Sequence, residues 1–331
     1  MNNFKKVGLT ALAGSLAAIS ANAAEMTVSG ATLLTYTSED QTETTGNPFG
    51  MKTNLGFTAS GEVNGYTVSY MQTSKDKFAG MSSARLSVDM GDLGTIAFDQ
   101  GSGSGLGTID DKTPTAAEEI WDGIDTDGTS GANGLVGAAG ASGVFNYIKS
   151  YAGVTFNGAA RRGTAAKNSD GGSSGAGGSA WDFALTAGDD VLMVAGLSGG
   201  LGYGEASNGT SGTASDTEHM TLFANYSYGP VTFGAQASEI DNTTTGGADQ
   251  DVRAFGVAFN VNDSLSVSYG ERDVDFVGTT DANVEENGEG IAVAYTMGSI
   301  KIAGNRNSVN HNDGTVGAKD EMTEIAVSFA F

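Results

Sequence analysis

The sequence predicts an all-β chain, a sixteen-stranded antiparallel barrel that crosses a membrane, with short turns at one end and long loops at the other. Three observations lead there. Apolar and small polar residues alternate with a period of two in segment after segment, the mark of strands with two unlike faces. The connections alternate in length, the short ones rich in Gly, Asn, Asp and Pro and the others mostly long and polar. After an export signal, Gly or polar residues break every apolar run, including Val191 to Leu201, short of the length a spanning helix needs.

The signal is read first. Lys5 and Lys6 precede an apolar run from Val7 to Ile19 and the small-residue site Ala21-Asn22-Ala23. Residues Met1 to Ala23 are therefore expected to be removed, and residues 24–331 to form one barrel domain. Strands are expected near Glu25 to Thr37, Met51 to Glu62, Gly65 to Thr73, Met81 to Gly91 and Gly94 to Gly101. The alternation then stops. It resumes near Gly143 to Lys149, Gly153 to Arg162, Ala180 to Thr186, Val191 to Gly204, Thr217 to Tyr228 and Val231 to Glu239, and five more segments follow. These lie near Asp251 to Val261, Leu265 to Asp275, Gly288 to Met297, Ile300 to Asn307 and Glu321 to Phe331. Short turns are expected at Glu62 to Gly65, Gly91 to Gly94, Ser150 to Gly153, Ala187 to Asp190, Tyr228 to Pro230, Asn262 to Ser264 and Met297 to Ser299. Sixteen strands joined in this way bring both termini to the turn end, which in an outer-membrane barrel is the periplasmic one.

One parity of these strands carries Leu55, Phe57, Tyr66, Val68, Leu86, Val88, Phe255, Val257, Ile291 and Val293, and the other is small and polar. In a sandwich the apolar face would pack inward, whereas in a membrane barrel it faces lipid. The barrel is favoured because the polar face is weakly charged and because Tyr66, Tyr151, Tyr228 and Phe331 gather near turns, as interfacial aromatic belts do. The three prolines fit as well: a proline cannot donate to a ladder, and Pro48, Pro114 and Pro230 all fall in expected loops or turns.

Composition bounds the function. There is no Cys, so neither a disulfide framework nor a cysteine metal site is available. Without Lys5 and Lys6 the chain has fourteen basic residues against thirty-nine acidic ones, a balance that repels nucleic acid and attracts cations.

The mature chain resembles a general, non-specific Gram-negative bacterial porin of the sixteen-stranded trimeric kind. The resemblance rests on Glu25 to Gly30 as the opening strand, on Ser83 to Phe98 as the fourth and fifth strands with their turn, and on the terminal Phe331, which corresponds to that family's assembly mark. It implies a homotrimer in the cell outer membrane, bounded by lipid and passing ions and small hydrophilic solutes by diffusion, with no chemistry. It also implies that the interruption from about 101 to 143 is a third loop folded into the barrel. That segment carries Asp110, Asp111, Glu118, Glu119, Asp122, Asp125 and Asp127 against Lys112 as its one basic residue. Carboxylates held in a low-dielectric constriction focus the field on passing cations. The resemblance further implies basic residues on the opposite wall, and by parity Lys52, Arg85, Arg161 and Arg272 point into the lumen. So thin a basic complement predicts cation preference.

Weaker signals stand beside these. Asp125-Thr126-Asp127-Gly128 resembles the first half of a calcium loop but lacks the later Glu, so calcium at Asp125 and Asp127 is set against a solvated acidic turn, and no other cofactor is expected. Gly171-Gly172-Ser173-Ser174-Gly175 satisfies G-x-S-x-G without the strand-turn-helix context that a nucleophile needs. A substrate-specific channel would show an aromatic track or a basic ladder along the lumen, and a secreted calcium-binding β-rich surface protein would show G-G-x-G-x-D repeats. Neither pattern is seen.

Overall fold

The structure, a computed structural model, describes residues 25–40, 45–74, 80–126, 129–130, 134–140, 142–163, 178–208, 215–242, 249–277 and 284–331. The expected leader, Asp127 and the side chain of Asp125 lie outside the described residues. The barrel strands are β1 (Glu25–Asp40), β2 (Phe49–Val63), β3 (Tyr66–Ser74), β4 (Met81–Asp89), β5 (Thr95–Gln100), β6 (Ser142–Tyr151), β7 (Val154–Arg161) and β8 (Ala180–Ala187). They continue with β9 (Leu197–Asn208), β10 (Ser215–Tyr228), β11 (Val231–Asn242), β12 (Asp249–Asn260), β13 (Leu265–Val277), β14 (Glu285–Met297), β15 (Ile300–Asn310) and β16 (Lys319–Ala330). Each pairs antiparallel with the next, and β1 pairs with β16, so the sheet closes. At the seam Tyr36 faces Ile325 and Leu34 faces Val327, and the backbones of Gly30 and Phe331 exchange two hydrogen bonds of 3.0 Å. Closure removes the unpaired edge that an open sheet would present.

The two faces reverse the polarity of a water-soluble protein. Leu34, Phe145, Leu222, Phe255 and Ile291 project outward and are exposed, while Asn146, Asp182, Thr221, Gln236 and Asn307 are buried inside. Lipid satisfies the first set; the second must find hydrogen-bond partners within the barrel.

Local chemistry sets the turns. Asn64 and Gly65 both have positive φ, 54° and 84°, and so do Ala152 and Gly153, at 49° and 82°. Two such residues make the hairpin turn whose twist matches that of paired strands. The turn expected at Ala187 to Asp190 is different. The chain forms a short helix, α1 (Asp189–Leu192), and β9 begins at Leu197 rather than Val191. The N–H groups of Val191 and Leu192 donate to the Gly188 carbonyl at 3.2 and 3.0 Å, and an Asp189 carboxylate oxygen accepts the Gly196 N–H at 3.2 Å. Acidic residues at a helix start are favoured by its exposed N–H groups, which is why this apolar run does not join the strand directly.

Residues 101–126 and 134–140 enter the barrel. Their apolar side chains form the buried clusters between loop and wall: Leu106, Ile109 and Val136 with Ala184 and Phe223; Ile124 with Val309 and Met322; and Ala139 with Val144 and Ala159. Burying a large aliphatic side chain contributes about 1.5–3 kcal/mol. Several such residues dock the loop against the wall.

Candidate pore constriction

The loop follows the inner wall around much of the barrel. At its root the Arg85 guanidinium lies 3.4 Å from the Asp99 carboxylate and donates to the Gly103 carbonyl at 3.0 Å and to Asn146 Oδ1. Asp99 also accepts the Ser102 N–H and hydroxyl, each at 2.7 Å, and the Ser104 hydroxyl at 2.6 Å. Next, Asp182 on β8 takes hold of both limbs. One of its oxygens accepts the Leu106 N–H at 3.0 Å and the other the Ala139 N–H at 2.7 Å.

Further round, Gln236 on β11 accepts the Lys112 N–H at 2.7 Å and donates to the carbonyls of Ile109 and Asp110 at 3.1 and 2.7 Å. Asn225 on β10 donates to the Lys112 carbonyl at 2.8 Å, and Ser268 on β13 accepts the Ala116 N–H at 2.9 Å. Asn307 on β15 donates to the carbonyls of Glu119 and Asp122 at 3.0 and 2.8 Å. On the way back, Gln250 and His219 accept the N–H groups of Gly134 and Gly137. With His219 Nδ1 as the acceptor, a neutral ring carries its proton on Nε2.

The loop acids occupy different settings. Asp111 is tied within the loop, one oxygen accepting the Thr113 N–H and hydroxyl and the other the Trp121 indole N–H at 2.8 Å. Trp121 thus folds the outgoing limb back on itself. Glu118 is exposed, and Asp110, Glu119 and Asp122 are half-buried. Burial pushes the Asp110 and Glu119 carboxyls above the usual range. Asp122 is pushed up to about 6, first by burial and then by the negative fields of Glu118, Glu324 and Glu119, against a smaller opposing pull from Lys52. Glu324 on β16 accepts a hydrogen bond of 3.0 Å from the Thr37 hydroxyl.

The four wall cations differ as sharply. Lys52 alone of the four is exposed. Arg85 is committed to the loop root, and its side chain is 18% exposed. Arg272 is buried, 3.8 Å from the buried Glu286 carboxylate and beside Gly134. Arg161 stands next to Gly140 and acts electrostatically on Asp182. The structure therefore gathers Asp122, Glu118, Glu119, Glu324 and Lys52 into one neighbourhood and uses the arginines elsewhere. Among the described residues no three His, Asp or Glu side chains converge as metal ligands.

A family model described as Gram-negative porin matches residues 8–331. The chain belongs to the Gram-negative porin family. Its barrel is similar to that of an anion-selective porin from Comamonas acidovorans, at 12% identity and a TM-score of 0.66 over 93% of this chain and 100% of the other. A porin refined at 1.8 Å resolution matches at 14% identity with the same TM-score and the same coverage. The trimer form of OmpT, an outer-membrane protein of Vibrio cholerae, matches at 12% identity and a TM-score of 0.64 over 92% of this chain and 99% of the other. No curated protein sequence matches. As a porin, the chain is an outer-membrane channel protein.

Glu324, Asp182, Gln236 and Asn307 of this porin escape a reading of the sequence. Each is an isolated polar residue at an inward position, like dozens of others, and only the path of the loop gives it a partner. One signal was available. Gly234, Gly256, Gly270 and Gly290 share the inward parity at mid-strand in four consecutive strands, and cross-strand pairing sets them side by side.

Proposed function

We propose that this porin is a water-filled channel for passive diffusion of ions and small polar solutes, that it prefers cations, and that it works as a homotrimer. The observation that carries the preference is the imbalance of available charge at the constriction. Asp122, Glu118, Glu119 and Glu324 meet one exposed wall cation, Lys52, while Arg85 and Arg272 are paired with carboxylates of the wall. In a pore with low-dielectric walls, unpaired carboxylates lower the energy of a passing cation and raise that of an anion. Asp125 and Asp127 belong to the same loop and add to its negative charge.

The outer surface supports the assembly. Among the described residues the outward positions of β2 to β8 carry no acidic side chain and present aromatic residues, with Trp181 and Phe183 stacked at 6.5 Å. The outward positions of β9 to β14 carry Glu205, Glu218, Glu239, Asp251, Glu271 and Glu289. The acid-free side, where strands are as short as six residues, suits subunit contact at the centre of a trimer. The long loops then face outward and the turns face the periplasm.

The test is electrical. Reconstitution in a planar bilayer under a salt gradient should give conductance steps in threes and a reversal potential of cation sign. Neutralising Glu118, Glu119 and Asp122 to their amides should move that potential toward anions. Folded protein that leaves the membrane silent would reject the channel, and an unmoved potential would reject this site.

A further inference from the structure

Gly234, Gly256, Gly270 and Gly290 form one continuous row across the inner faces of β11 to β14, each the direct cross-strand partner of the next. The row is occupied. A Cβ added at Gly234 would run into the Pro114 ring, and one at Gly256 would lie 2.9 Å from the Pro114 carbonyl oxygen and 3.1 Å from its nitrogen. At Gly270 and Gly290 an added Cβ would lie 2.9 Å from Ile120 Cγ2, and at Gly290 it would also meet Asn307 Oδ1. Gly202 continues the pattern on β9, where an added Cβ would meet Leu106. Glycine weakens a strand by roughly 0.5–1 kcal/mol relative to alanine, so four abreast in mid-sheet have a cost that some other gain must offset.

We infer that this row of glycines sets the bore of the channel, by recessing the constriction loop into the wall so that Pro114 and Ile120 lie against the backbone of the sheet. The inference rests on the channel reading above and adds what fixes its size. The polar contacts of Gln236, Ser268 and Asn307 fix where the loop runs along the wall, and the absent side chains fix how far it stands out from it. At Gly256 and Gly270, where the loop itself is the nearest neighbour, a side chain must lift the loop toward the pore axis. The glycines are thus positioning residues: they touch the loop, and the loop touches the solute.

Two measurements test this. Gly270→Ala and Gly256→Val should narrow the pore, lowering single-channel conductance by about twofold and slowing entry of larger neutral sugars in a liposome-swelling assay more than that of small ones. Adding Ile120→Ala to Gly270→Ala removes the opposing Cγ2 and should restore both readouts. Gly288→Ala is the control, on the same face of β14 but with the nearest atoms at 3.3 and 4.0 Å and neither of them in the loop. A merely structural role would give equal losses at Gly270 and Gly288 and no rescue by Ile120→Ala. Folded Gly270→Ala and Gly256→Val channels with unchanged conductance and sugar cutoff would overturn the inference.

If those variants do not fold, cysteines decide, since the chain has none of its own. With Ile120 Cγ2 2.9 Å from a Cβ at 270, the two Cβ atoms lie within about 4.4 Å, inside disulfide range. Ile120→Cys with Gly270→Cys should therefore lose both free thiols on mild oxidation of the folded barrel, and persistent thiols would overturn the seat. A cross-link formed in a barrel that conducts nothing would instead refute the channel reading and leave the seated loop standing.

Discussion

Asp122→Asn should lower the cation-to-anion permeability ratio about fourfold at pH 7.5 and change it little at pH 5. An ion passing about 6 Å from the carboxylate gains roughly 0.7 kcal/mol in water, and screening at 0.1 M salt leaves about 0.4 kcal/mol. An anion loses the same amount, so the ratio moves by about 0.8 kcal/mol, or about fourfold. The pH dependence follows from the environment. Burial and the fields of Glu118, Glu324 and Glu119, partly countered by Lys52, hold the Asp122 carboxyl up to about 6. The charged form is the basic one, so negative charge is present above that value and is lost as pH falls through it. At pH 7.5 roughly 97% of the group is ionised and at pH 5 roughly 9%. Reversal potentials of reconstituted wild type and Asp122→Asn, in the same salt gradient at both pH values, give the comparison. Glu119 and Asp110 are raised too, so the variant keeps some slope of its own; the test is the difference between the two proteins. If that difference is the same at pH 5 as at pH 7.5, or vanishes at both, the assignment of Asp122 to the ion path is refuted.

Three further outcomes are expected. Arg85→Ala strands the buried Asp99 carboxylate and frees the loop root, which should lower stability by about 3 kcal/mol in urea unfolding and add low-frequency noise to the open channel; a quiet channel of wild-type stability would contradict the role given to Arg85. Gly65→Val should cost about 1–2 kcal/mol although nothing lies within 4 Å of the added carbon, because φ is 84° there, and a neutral result would show that the turn readjusts freely. Removing Phe331 deletes the two backbone bonds to Gly30 at the closing seam and should lower the amount of folded barrel in the outer membrane, read by its resistance to SDS before heating, while the channels that do form keep their unit conductance. An unchanged yield would remove Phe331 from assembly.

The strands were legible because each is written in its own few residues: period-two alternation bounded by Asn-Gly or Gly-Pro turns needs no knowledge of distant contacts. The start of β9 was misplaced for the same reason. Val191 to Leu201 reads as an apolar strand, and the hydrogen bonds to Gly188 and from Gly196 that fold its beginning into α1 leave no trace in the alternation. The break between β5 and β6 was also legible, as a gap in the pattern loaded with acids. The path of the loop was not. That path depends on Gln236, Ser268 and Asn307 lying opposite particular loop carbonyls and N–H groups, and on four glycines that singly look like weak strand positions. Parity turns Arg85 and Arg272 inward, but parity says nothing about Asp99 or Glu286, which hold them.

The anion-selective Comamonas porin has a similar barrel, so the cation preference proposed for this porin cannot rest on the fold. It must lie in which charges remain unpaired after the loop has been fastened. Here each fastening cation is matched by a wall carboxylate, Arg85 at the loop root by Asp99 and Arg272, beside the returning limb, by Glu286, so neither arginine offers unpaired positive charge to the pore. The outgoing limb is held differently, through its backbone, by uncharged Gln236, Asn225 and Asn307, so these wall contacts leave its carboxylates unengaged, Asp111 alone being tied within the loop by Thr113 and Trp121. A loop tied down by its side-chain acids would have spent negative charge instead. On the proposed cation preference, the same anchoring that keeps the loop in place leaves its acids to set the sign of the pore, and reversing that sign would call for new cations near Lys52 rather than for a different loop path.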